Sequence, residues 1–172
     1  YFFEEKLSFE QLEKKARAEK NKGVWHLLLD SELSKRGVDI VNIETIDYQK
    51  LFEEKGEYLK KLYDSQTAEY YLTKTNIARL FDAIPEYLKS VNHITKEATI
   101  EDIDSLLSKG YIIGAEVNSR ILNNKPGFSL HYVLIQKGDK NSYVLHDPGL
   151  PPIENRKVSR EDIEKSLANE VS

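Results

Sequence analysis

The stretch Tyr111–Ser159, YIIGAEVNSRILNNKPGFSLHYVLIQKGDKNSYVLHDPGLPPIENRKVS, decides the fold. Tyr111–Val117, Phe128–Gln136 and Ser142–Leu145 are short apolar runs bounded by Gly, Pro, Asn or Asp, which is how strands are punctuated. Joined by short loops, they form an antiparallel meander. The same stretch holds a tight cluster of reactive side chains. His131 lies on the second strand, and His146-Asp147 lies where the third runs out into Pro148-Gly149.

Working outward, the flanking sequence reads as helical support. Ser8-Phe-Glu-Gln11 is a capping box opening a helix to about Lys20, and Tyr1–Glu5 reads as the end of an earlier helix. Gly23 breaks the chain. Trp25, Leu28, Leu29 and Leu33 then recur at helical spacing over Val24–Lys35, and Gly37 supplies a left-handed cap. Val38, Ile40 and Val41 imply a short strand at a sheet edge. From Asp47 to Val91, Leu51, Tyr58, Leu62, Ile77, Leu80, Ile84 and Tyr87 recur at steps of three and four, which predicts two or three helices. Pro85 suits a first helical turn, so a break is expected near Ala83. Thr99-Ile-Glu-Asp102 opens a helix ending at Gly110, and Ser159-Arg-Glu-Asp162 opens a last one carrying Ile163 and Leu167. The expected class is α+β, a small antiparallel sheet packed with helices.

A chain of 172 residues fits one domain with a real core. The net charge is −4 and the two signs are interspersed, so the basic footprint of a nucleic-acid binder is missing and no nucleic-acid partner is expected. No apolar run is long enough to cross a bilayer; no membrane segment is expected, and the reading is of a soluble, cytoplasmic protein. With zero cysteines, disulfides, thiolate metal sites and a nucleophilic thiol are excluded within these residues. His26 and His93 have no metal-ligand spacing to each other or to the carboxylates, and no metal is expected. The chain starts at Tyr and contains no Met, so it is expected to begin inside a longer protein.

The hairpin between the second and third strands governs the reactive cluster. A three-residue loop, Gly138-Asp139-Lys140, sets Lys137 against Asn141 and His131 against Asp147. Opposed residues share a face with Cβ atoms roughly 5 Å apart, within reach of a hydrogen bond. A two-residue loop moves Asp147 to the other face and brings His146 or Pro148 opposite His131. In the first register the carboxylate can orient the imidazole, whose other nitrogen is free to take a proton from a nucleophile. The pair has a plain structural reading as well: a strand histidine, and an aspartate that starts the turn at Pro148-Gly149. His146 should face away from Asp147 by strand alternation. Trp25, Phe128 and the tyrosines read as core before groove, and Asn118 as turn chemistry before substrate contact. The LPPIENRK segment reads as a rigid, exposed loop bordering the cleft.

GYIIGAEVNS, then LHYVLIQ, an acidic turn, and YVLHDPGLPPIENRKVS leading into a helix together resemble the C39-like peptidases of the papain-like cysteine protease superfamily. The opening YFFEEKLSFEQLEKKA resembles the segment that follows the nucleophile helix of that family, while the part from about 47 to 91 reads as a helical insertion. The resemblance implies a papain-like fold and two members of a Cys-His-Asp triad, with His131 matching the family histidine and Asp147 the family acid. The implied substrate is a peptide or amide, the implied reaction thiol-dependent cleavage without a cofactor. The family's Cys and oxyanion-hole Gln fall on positions preceding Tyr1, and Leu130 stands where the family often has a small residue. Two other functions fit the same scaffold: a non-catalytic peptide-binding module, and an acyltransferase.

Overall fold

The computed structural model describes residues 7–167; the helix end expected at Tyr1–Glu5 lies outside the described residues. The described chain is α+β, with helices, a four-stranded antiparallel sheet and a separate two-stranded parallel one. Length implies one domain, whereas the contacts group the chain into two compact units, Tyr1–Glu97 and Ala98–Ser172. Each unit has its own buried cluster.

The first unit starts at α1 (Phe9–Lys15), whose capping box forms as expected: Ser8 Oγ accepts from the Gln11 N–H and Gln11 Oε1 from the Ser8 N–H. The helix stops short of Lys20, where Arg17 turns to a positive φ of 49°. Helix α2 (Leu27–Lys35) buries Leu27 and Leu28 and ends as expected with Gly37 in the left-handed region. The expected edge strand is β1 (Val41–Glu44), which pairs in parallel with β2 (Asn92–Thr95). Between them the chain makes four helices: α3 (Tyr48–Glu54), α4 (Gly56–Leu62), α5 (Ser65–Lys74) and α6 (Ile77–Ser90).

That exceeds the expected two or three helices, because α3 and α4 divide at Lys55, which takes a φ of 56°. Gly56 follows, and a Cβ there would lie 2.9 Å from Leu72 Cδ2, so a larger residue would make the tip of that side chain shift. The break expected near Ala83 does not occur. Helix α6 runs through Pro85, which faces solvent while Ile77, Leu80, Ala83, Ile84 and Tyr87 are buried on both sides of it. An interior proline costs about 3 kcal/mol, and burying five side chains on one stripe outweighs that cost.

Tyr87 anchors a polar chain inside this unit. Asn42 Nδ2 donates to Tyr87 Oη, Tyr87 Oη lies 3.2 Å from His93 Nδ1, and His93 Nε2 donates to the Ile46 carbonyl at 2.9 Å. Nearby His26 bridges α2 and β1, with Nδ1 2.7 Å from Asp30 Oδ2 and Nε2 3.3 Å from Glu44 Oε1. Burial opposes the imidazolium most strongly, but the bonds to Asp30 and Glu44 outweigh it and push its pKa up to about 10. Because the folded value exceeds the ordinary 6.5, this contribution to stability is complete below about pH 6.5 and is lost as pH rises towards 10. The wild-type melting temperature is expected to fall between pH 7 and 10, and His26→Gln to flatten that slope in a thermal melt. The side chain is 38% exposed, so solvent screening keeps the change modest.

In the second unit α7 (Ile100–Ser108) begins at the expected Thr99–Asp102 capping box. Strands β3 (Ile113–Asn118), β4 (Leu130–Gly138), β5 (Ser142–Asp147) and β6 (Ile153–Ser159) form an antiparallel meander in chain order, followed by α9 (Arg160–Leu167). A four-residue helix, α8 (Ser119–Leu122), precedes the loop between β3 and β4. The expected strands are present, shifted by one or two residues. Strand β6 was not expected: IENRKVS is mostly polar, follows Pro151-Pro152, and buries only Val158 fully, as suits a charged edge strand. Ala115, Val117, Val133, Ile135, Tyr143, Leu145 and Val158 form the core with α7 and α9, while Leu130, Tyr132 and Leu134 remain exposed on the other face.

Candidate functional site

His131 and Asp147 meet, by a route other than the one the hairpin arithmetic expected. The turn is not the three-residue loop: Gly138 pairs with Tyr143 and Lys137 with Val144, so Lys137 does not face Asn141. Asp139 organises the turn, its Oδ1 accepting from the N–H groups of Asn141 and Ser142 at 2.8 Å each. This register taken alone would place Asp147 on the wrong face. A bulge between Ile135 and Lys137 shifts the ladder by one, so that beyond it Ile135 pairs with Leu145 and Leu134 with His146. Continued along the strands, that register sets Asp147 on the same face as His131, two positions along. His131 Nε2 donates to Asp147 Oδ1 at 2.6 Å.

The carboxylate is well enclosed, with its side chain 10% exposed against 27% for His131. Asp147 Oδ1 also accepts the Gly149 N–H at 3.0 Å, and Oδ2 accepts Arg156 Nη1 at 3.0 Å. Burial acts to raise the Asp147 pKa, but the hydrogen bonds from His131, Gly149 and Arg156 prevail and hold it below the usual carboxylate value. An ionised Asp147 can only accept, so the imidazole carries its proton on Nε2 and leaves Nδ1 as the nitrogen not committed to Asp147. Such a pair can hold and pass a proton at Nδ1 while the carboxylate steadies the charged ring.

Two members of this arrangement escaped the sequence reading. Arg156 lies in the segment that reads as an exposed loop, yet it faces inward on β6 with its side chain 16% exposed. Its Nη2 donates to the Leu122 carbonyl and to Asn123 Oδ1 at the end of α8. The usable signal was alternation, since Arg156 and Val158 are two apart and share a face once β6 is taken as a strand. Gly149 is the second, because a Cβ there would come within 3.0 Å of Asp147 Oδ1 and 3.5 Å of His131 Cε1.

The remaining candidates fall elsewhere. His146 stands opposite Leu134, on the face away from Asp147, as expected. Leu130 adjoins His131 but alternates to the open face, so it does not stand before the imidazole. Asn118 does turn chemistry: Oδ1 accepts the N–H groups of Arg120 and Ser129, and Nδ2 donates to the Gly127 carbonyl. Trp25 is core, with Nε1 donating to Thr75 Oγ1, and Phe128 is exposed. Among the described residues no group of three or more His, Cys, Asp or Glu is arranged to hold a metal ion, and no helix is long and apolar enough to cross a membrane.

No family model matches this chain, and neither a curated protein nor a solved structure does.

Proposed function

We propose that the second unit carries the acid–base half of a cysteine-peptidase site of the papain-like, C39-like kind, with the thiol supplied from outside these 172 residues. The observation that carries the reading is the 2.6 Å bond between His131 Nε2 and a buried, ionised Asp147. In this scheme His131 Nδ1 takes the thiol proton as sulfur attacks an amide carbonyl. The C–S bond forms, the C–N bond breaks, and His131 returns the proton to the leaving amine nitrogen. Asp147 stabilises the imidazolium between these steps. Water, deprotonated by His131, then attacks the thioester carbon: the C–O bond forms, the C–S bond breaks, and His131 returns the proton to the departing sulfur as the acid is released. The substrate class is a peptide or amide, and the chemistry runs on side chains alone.

The test uses the natural gene product at full length and a peptide analogue with a thiol-reactive group. Covalent labelling is expected, and His131→Ala should slow it by about a hundredfold or more with an unchanged far-ultraviolet circular dichroism spectrum. Labelling indifferent to His131→Ala, or a natural product with no cysteine, would overturn the peptidase reading in favour of a peptide-binding module.

A further inference from the structure

A carboxylate that orients a histidine must itself be oriented, and a single bond at one oxygen does not do that. The terminal torsion of Asp is broad, so Oδ1 can stay near His131 while the carboxyl plane swings. Here Oδ1 takes both His131 Nε2 and the Gly149 N–H, which leaves Oδ2 to fix the plane. Arg156 Nη1 occupies Oδ2, diagonally across β5–β6 from the ladder pair Leu145–Arg156. The guanidinium is itself pinned through Nη2, which donates to the Leu122 carbonyl and to Asn123 Oδ1. The rigid fork thus ties Asp147 to the end of α8, a span that a lysine ammonium cannot reproduce.

Charge alone does not account for this arrangement. The guanidinium takes the carboxylate oxygen that His131 does not, so what it adds beyond charge is direction. We infer that Arg156 is a positioning residue of the His131–Asp147 pair, holding the plane of the carboxylate against α8 so that the neutral imidazole keeps its proton on Nε2 and presents Nδ1 bare. The role rests on reading that pair as an acid–base unit, although the geometry it concerns exists in this chain without any thiol.

The decisive measurement is the tautomer ratio of neutral His131, read from imidazole nitrogen-15 shifts in the protein and in Arg156→Gln and Arg156→Lys. In the wild type the Nε2–H form is expected to exceed the Nδ1–H form by about tenfold or more, as a charge-assisted bond to Asp147 supports. Arg156→Gln should lower that ratio by about threefold or more, and Arg156→Lys should shift it the same way, since it keeps the charge and loses the fork. An unchanged ratio in both variants, whatever happens to the melting temperature, would overturn the inference and leave Arg156 a fold-stabilising residue only. If Arg156→Gln does not fold, Arg156→Lys and Asn123→Ala decide: Asn123 is one anchor of the guanidinium, and its loss should move the ratio less but in the same direction. The failure of thiol labelling with a shifted ratio would count against the peptidase reading and for Arg156; labelling with unshifted ratios would do the reverse.

Discussion

Asp147→Ala is expected to lower the stability of the folded protein by about 3 kcal/mol, read as a lower urea midpoint. The substitution removes the acceptor for three donors at once: His131 Nε2, the Gly149 N–H and Arg156 Nη1. Breaking one side of a largely buried ion pair costs about 3–5 kcal/mol because the partner charge is stranded. The lower end applies here, since Arg156 keeps its bonds to the Leu122 carbonyl and Asn123 Oδ1. Asp147→Asn keeps the shape and an acceptor for Gly149 and should lose about 1–2 kcal/mol. The Asp147 pKa is depressed on folding, so its contribution is present above the ordinary value of 3.8 and disappears as pH falls through the lower folded value. Acid titration should therefore converge wild type and Asp147→Asn at the lowest pH. An alanine variant within about 0.5 kcal/mol of wild type would show that the carboxylate organises nothing.

Tyr87→Ala is expected to cost the first unit about 3–5 kcal/mol, the range for emptying a buried aromatic site. Tyr87 is fully buried, packs edge-on against the Tyr48 ring with centroids 5.1 Å apart, and links Asn42 to His93 through its hydroxyl. Tyr87→Phe separates the two contributions. It keeps the ring and strands the Asn42 donor and His93 Nδ1, so a loss of about 1–2 kcal/mol is expected. Denaturant unfolding, with hydrogen exchange at the amides of α6 and β2, reads both. Equal losses in the two variants would mean that the hydroxyl chain, not the ring packing, holds this cluster.

Much of the architecture was legible because it depends on local signals. The capping boxes at Ser8 and Thr99 are side chain–backbone bonds within four residues, and Gly37 answers a local steric demand. Three strands of the meander, β3, β4 and β5, announced themselves by apolar runs. What was not legible depends on partners distant in sequence. Pro85 stays helical because of the buried stripe on the face away from it, and β6 is a strand because β5 offers it an edge. The candidate pair shows both sides. Residue types and spacing singled out His131 and Asp147, but the turn that was meant to join them has another length, and Arg156 was hidden by the charged strand that carries it.

The extra residue at Gln136 bears on how this protein can change through time. Because one irregular position restores the alternation that the turn by itself would invert, a single-codon deletion in the 139–141 turn is not a small edit. It exchanges every inward and outward side chain of one strand, the acid of the pair included, unless a compensating length change arises beside it. Insertions and deletions in this hairpin are therefore coupled events. Drift in the lineage should preserve the combined parity of turn and bulge even where neither length is kept.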